Sequence, residues 1–217
     1  GQLTKAEDAI QKALNLQPEF LDAYINLGLI QKANGKLEEA EKATKKAIEI
    51  NSNCSDAYLN LGTILQDQGR LKEAESFTRK ALEIQPEMSD VNMNMGSILK
   101  DLGRVEEAIY YAEKEINLYP KCQAAYQLLN TLLKECDLKK FKSDQIRSIL
   151  KRLLSRTDIN HGDLFPALNS LFSFRVLSKL SESSNLLLKE DFFNKLVSDD
   201  IIIRSLKLFV FKSITWE

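Results

Sequence analysis

The chain has 217 residues, 44% hydrophobic and 28% charged, and its 30 Lys+Arg against 31 Asp+Glu leave a net charge of −1. Such a composition suits an ordinary soluble protein, and so small a net charge offers no overall field for nucleic acid or a membrane surface. Cys54, Cys122 and Cys136 form no C-x-x-C pair and accompany one histidine, His161, which argues against a disulfide framework or zinc site and for reduced thiols in the cytoplasm.

Eight glycines, four prolines and no run of strand alternation point to an all-α chain. The stretch Leu21–Cys54, LDAYINLGLIQKANGKLEEAEKATKKAIEINSNC, returns 34 residues later as Ser55–Met88 and again as Ser89–Cys122. Gly1 stands in mid-repeat register with Gly35. The array therefore reads as a half repeat (1–20), three full repeats (21–54, 55–88, 89–122) and a partial last one (123–137), with a boundary near Asp137. Opening on Gly1 in mid-repeat, without Met, the chain reads as a piece of something longer. No signal peptide or membrane-spanning apolar run appears.

Within each unit, Gly1, Gly35, Gly69 and Gly103 fall between two helical patterns, where a left-handed residue reverses the chain. Gly28, Gly62 and Gly96 lie inside first helices at a propensity cost of about 1 kcal/mol each, which implies close approach by a neighbouring helix. Ala6, Ala40, Ala74 and Ala108 are the matching small residues of second helices. Ala13, Ala47 and Ala81 add another column, broken by Glu115. Pro18, Pro86 and Pro120 end second helices. Tyr24, Tyr58 and Tyr126, then Leu27, Leu61, Met95 and Leu129, and finally Leu16, Ile50, Ile84 and Leu118 are the expected inward columns.

These columns resemble the tetratricopeptide repeat over residues 1–137. The resemblance implies a right-handed superhelix of antiparallel helix pairs, followed here by a small C-terminal helical bundle. A helical wheel turns Asp22, Asn26 and Leu29 away from the packing side. The same stripe reads Asp56, Asn60, Thr63 and Asp67 in the next repeat, then Asp90, Asn94, Ser97 and Asp101. The resemblance puts this stripe on the concave wall, where such repeats bind peptides. An amide donates and accepts at once, so Asn26, Asn60 and Asn94 suit the backbone of an extended peptide. The aspartates favour a basic or neutral partner over an acidic one. Family members that clamp a terminal carboxylate carry Lys and Arg on this stripe. Here Ile25, Leu29, Asn60, Asp90 and Asn94 hold those places, which argues against that mode.

After Leu138 the register is lost, and 14 Lys+Arg against 9 Asp+Glu make residues 138–217 basic. Helices are expected over Ser143–Ser155, Asp163–Phe174, Arg175–Leu180, Glu190–Val197 and from Ser198 onward, forming a capping or linker segment. The apolar end LKLFVFKSITW (Leu206–Trp216) suggests self-association or a further domain. Lys139, Lys140, Lys142, Arg147, Lys151, Arg152 and Arg156 form a basic cluster with only Phe141 interleaved. That composition fits a solvated face better than nucleic-acid contact. Phosphate-binding loops, G-x-S-x-G and H-E-x-x-H are absent. The sequence reads as a non-catalytic protein–protein interaction scaffold without cofactor or metal. The alternative is the recognition arm of a larger transferase, since the repeats are similar to those of O-linked N-acetylglucosamine transferases and cyanobacterial repeat proteins.

Overall fold

The computed structural model describes residues 2–135 and 143–156, and every regular element among them is an α-helix. In order these are α1 (Gln2–Leu16), α2 (Leu21–Ala33), α3 (Leu37–Ile50), α4 (Ser55–Asp67), α5 (Leu71–Ile84), α6 (Val91–Asp101), α7 (Val105–Leu118), α8 (Gln123–Glu135) and α9 (Ser143–Leu154). The chain divides into two compact units, Gly1–Cys122 and Gln123–Glu217. In the first, α2 packs on α3, α4 on α5 and α6 on α7, giving the three full helix pairs. The second helices α3 and α5 also rest on the first helices of the next pairs, α4 and α6, and the first helices α2, α4 and α6 touch in succession. In the second unit α8 and α9 are the described helices. There the Arg156 guanidinium lies 4.4 Å from the centre of the Tyr126 ring, so one member of the basic cluster serves packing. The helices expected from Asp163 onward, and the apolar end, lie outside the described residues.

The turns inside the pairs follow directly from their glycines. Gly35, Gly69 and Gly103 have φ of +75°, +76° and +74°. With Gly35 in that conformation its N–H donates to the Lys32 carbonyl at 2.9 Å, and the Lys36 N–H donates to the Gln31 carbonyl at 2.9 Å. The same two bonds recur at Gly69–Arg70 and Gly103–Arg104. This closed C-terminal motif satisfies the last carbonyls of each first helix and starts the second helix two residues later.

The glycines inside the first helices answer to a specific neighbour. A Cβ at Gly28 would stand 2.3 Å from Thr44 Oγ1, and one at Gly62 would stand 2.2 Å from Thr78 Oγ1. Thr44 and Thr78 are fully buried on the second helices of the same pairs. Around these contacts Leu61, Leu65, Ala74 and Ile98 form a continuous core linking the second and third pairs. One expected inward column departs from this pattern. Ile84 packs against the cluster of Tyr58, Leu59, Ala81 and Val91, but Leu16 is 89% exposed and Leu118 is 38% exposed. Each is the last residue of its helix, where burial depends on the turn that follows rather than on helix periodicity.

Candidate functional site

The outer stripe of the first helices is open to solvent. Asp22, Asn26, Asp56, Asp67, Asp90 and Asp101 are exposed, and Asn60, Thr63, Asn94 and Ser97 are half-exposed. Its opposite side carries Leu27, Gly28 and Gln31 in α2 and Leu61, Gly62 and Leu65 in α4, all buried. The wheel therefore sorts the faces correctly.

Along the stripe the candidate residues divide in two. Toward the C-terminal ends of the helices they are tied to one another across repeats. Lys32 on α2 pairs with Asp67 on α4 at 3.4 Å. Gln66 on α4 donates from Nε2 to Ser97 Oγ at 3.0 Å and to Asp101 Oδ2 at 2.6 Å on α6. Asp67, Ser97 and Asp101 thus act as rungs between neighbouring first helices. Thr63 is also engaged, its hydroxyl donating to the Asn60 carbonyl at 2.9 Å. Toward the N-terminal ends, the side chains of Asp22, Asn26, Asp56, Asn60 and Asn94 have no hydrogen-bond or ion-pair partner among the described residues.

Asp90 stands apart from Asp22 and Asp56. Those two lie in the first turns of α2 and α4, whereas Asp90 precedes α6 with φ +68° and ψ −13°. Among the described residues it is the one non-glycine residue in the left-handed region. The stripe read from 34-residue register therefore breaks at this position. The cause lies beneath it. Tyr58 and Ala81 share a core cluster, and Tyr24 and Ala47 hold the same two positions in the first full repeat; the third has Asn92 and Glu115 there. Both side chains are fully buried, with Asn92 Nδ2 donating to Glu115 Oε2 at 3.2 Å. The Asp90 N–H donates to Glu115 Oε1 at 3.0 Å. A ligand oxygen of Asp90, one of Glu115 and the Cys122 sulfur lie within 4.8 Å of one another. These are the described residues that could hold a metal, and their separation along the chain hides them from any local spacing motif.

On the second helices a periodic charge lattice fixes neighbouring pairs. Arg70, which follows the α4 turn, donates to Glu41 on α3 at 2.7 Å and to Glu73 at 2.8 and 2.6 Å. Arg104 does the same one repeat on, to both oxygens of Glu75 at 2.8 Å and to Glu107 at 2.6 Å. Lys36 reaches Glu7 at 2.9 Å in the same register. Burial works against ionisation of Glu41, but hydrogen bonds from Lys45, Arg70 and Gln68 outweigh it and hold the carboxyl at about 2. For Glu75 burial again opposes, and Arg79 and Arg104 keep its carboxyl below the usual range. A cavity of about 840 Å³ opens beside this lattice, lined by Lys36, Lys42, Lys45 and Arg70 together with Glu38, Glu39 and Glu41. Of its charged lining, Lys45 and Arg70 are paired with Glu41 and Lys36 with Glu7.

Among the described residues no helix is long and apolar enough to cross a membrane. A family model for the tetratricopeptide repeat matches residues 19–87 and a second matches residues 59–122. The solved structure of YrrB, described as a tetratricopeptide protein with an unusual peptide-binding site, is 19% identical with a TM-score of 0.66. The match covers 93% of this chain and 99% of that one. PilF of Pseudomonas aeruginosa is 21% identical over 90% of each chain, with a TM-score of 0.65. MamA is 21% identical over 71% of this chain and 88% of that one, with a TM-score of 0.60. No curated protein matches the sequence. At these identities the likeness establishes the fold.

Proposed function

Because residues 19–87 and 59–122 belong to the tetratricopeptide-repeat family, we propose that this chain is a non-catalytic scaffold that binds an extended peptide or protein segment along its first helices. The observation that carries this reading is the set of unengaged amides. Asn26, Asn60 and Asn94 occupy one register on three successive helices that touch in sequence. Asparagine in a helix interior that served stacking would be hydrogen-bonded to a neighbour, as Gln66 is to Ser97 and Asp101. These three amides keep their donors and acceptors for a ligand.

The engaged half of the stripe sharpens the charge preference. Asp67 is neutralised by Lys32 and Asp101 accepts from Gln66, which leaves Asp22 and Asp56 as the free carboxylates beside the amides. A Lys or Arg side chain of the ligand would meet those two, near the N-terminal ends of α2 and α4, while its backbone ran across the asparagines. YrrB supports the fold's capacity for peptide binding, since it is described by such a site.

The test is a peptide array screened against the full chain, followed by titration of a captured peptide. Asn60→Ala with Asn94→Ala should weaken capture by about tenfold or more, the loss of one or two net hydrogen bonds of about 1 kcal/mol each. Capture unchanged by that pair of substitutions would refute the groove.

A further inference from the structure

We propose that Glu115, Asp90, Cys122 and Asn92 bind a single divalent cation of the zinc class. The first three residues supply two carboxylate oxygens and a sulfur within 4.8 Å of one another. Glu115 is fully buried, and its carboxylate meets the Asp90 N–H and the Asn92 amide but no cationic side chain among the described residues. A buried carboxylate beside a second carboxylate is costly as an anion, and compensating positive charge relieves that cost. Among the described residues no cationic side chain provides it.

Asn92 is the independent observation. It is fully buried, and its Oδ1 has no hydrogen-bond partner. Its Nδ2 already touches Glu115 Oε2 at 3.2 Å. Turning the amide over places Oδ1 at that same distance from the carboxylate, a repulsive contact without a cation and a shared coordination edge with one.

The donor set selects the metal. Oxygen with one thiolate suits zinc, for which Zn–S is about 2.3 Å and Zn–O about 2.0–2.2 Å in tetrahedral sites, and disfavours calcium or magnesium, which take oxygen alone. Tetrahedral contacts at those lengths need ligand atoms about 3.3–3.8 Å apart, and the three atoms lie within 4.8 Å of one another, close enough for small movements to complete the site. Asp90 can make such a movement, being exposed and outside the regular helix, and Cys122 is only half-buried. The same two residues give the ion its way in. Binding converts the Cys122 thiol to thiolate and releases its proton to solvent. The other two full pairs have Tyr and Ala at the Asn92 and Glu115 positions, so the site belongs to the third pair alone among them.

The experiment uses the full 217-residue chain, stripped with chelator and titrated with Zn²⁺ in competition with a chromophoric chelator. Co²⁺ serves as the spectroscopic probe. One equivalent should bind, and cobalt should show a thiolate charge-transfer band. Cys122→Ser should abolish the band and weaken zinc more than about 100-fold, beyond the loss typical of a group that merely supports a ligand. Cys54→Ser should leave both unchanged. Asn92→Tyr with Glu115→Ala, which installs the pair used by the other repeats, should keep the helical circular dichroism and lose the metal. No bound equivalent, or a band and affinity that survive Cys122→Ser, would overturn the proposal. Should the double substitution fail to fold, the Cys122→Ser result decides alone.

Discussion

Gly62→Ala should destabilise the array, against the usual benefit of alanine in a helix. Helix propensity alone favours alanine by about 1 kcal/mol. The added Cβ, however, would stand 2.2 Å from Thr78 Oγ1 and 3.3 Å from the Ala74 carbonyl. Thr78 is fully buried, so its hydroxyl cannot swing aside without displacing its own neighbours, and overpacking of this kind costs about 1–3 kcal/mol. A net loss of up to about 2 kcal/mol remains once the propensity gain is subtracted. Thr78→Ala isolates the cause. It gives up a γ-methyl worth about 0.8 kcal/mol, yet removes a buried hydroxyl with no partner and improves helix propensity, so by itself it should be nearly neutral. In that background Gly62→Ala meets only the Ala74 carbonyl and should become neutral or mildly stabilising. The coupling in the double-mutant cycle should therefore be about 2 kcal/mol. The third pair already carries this arrangement in register, Gly96 with Ala112. Urea denaturation followed by helical circular dichroism measures all four proteins, with m-values compared because repeat arrays can lose all-or-none behaviour. An equal cost for Gly62→Ala with and without Thr78 would refute the reasoning.

That prediction rests on columns legible in the sequence, and the fold was legible for the same reason. Glycine at 34-residue intervals has few physical explanations, and Gly35, Gly69 and Gly103 take the left-handed turn that the interval implies. The exposed face was legible too, since burial on a helix follows its angular position, and Asn26 and Asn60 fall where the wheel puts them. What stayed hidden is whatever joins one repeat to the next. Asp67 and Asp101 look alike in sequence to Asp22 and Asp56, and only the structure shows Lys32 and Gln66 reaching across to them. The staples from Arg70 to Glu41 and from Arg104 to Glu75 were missed although a signal existed, an acid and a base 29 residues apart recurring with the repeat. Asn92 is the sharper lesson. Glu115 was visible as a break in the alanine column, but its meaning appears only when Asn92 is seen replacing the tyrosine that faces that column.

Glu75→Gln should lower stability by about 1–2 kcal/mol, because the carboxylate is only 15% exposed and receives charge-assisted bonds from Arg79 and, on both its oxygens, from Arg104 Nη1. Thermal melts in low and high salt would check it, and a neutral variant would show the lattice to be decorative. Acid should act through the same lattice. The Glu41 carboxyl sits at about 2 in the folded chain against an ordinary value of 4.5, so its contribution is complete above that ordinary value and is lost as pH falls toward 2. The unfolding midpoint should therefore drop over that window, with a shallower drop for Glu41→Gln; identical pH profiles would exclude Glu41 as a contributor. Finally, Asn92 and Glu115 should behave as a pair in metal-free buffer. Glu115→Ala alone orphans the Asp90 N–H and a buried amide, at about 1–3 kcal/mol each, while a buried carboxylate replaced together with its partner by apolar groups is often neutral or stabilising. The double substitution Asn92→Tyr with Glu115→Ala should then be at least as stable as the parent even though Glu115→Ala alone is weaker. Such a reversal can arise only if the third pair carries its carboxylate at a cost to folding, and a residue held at a cost in one repeat out of three is held for something other than the stack.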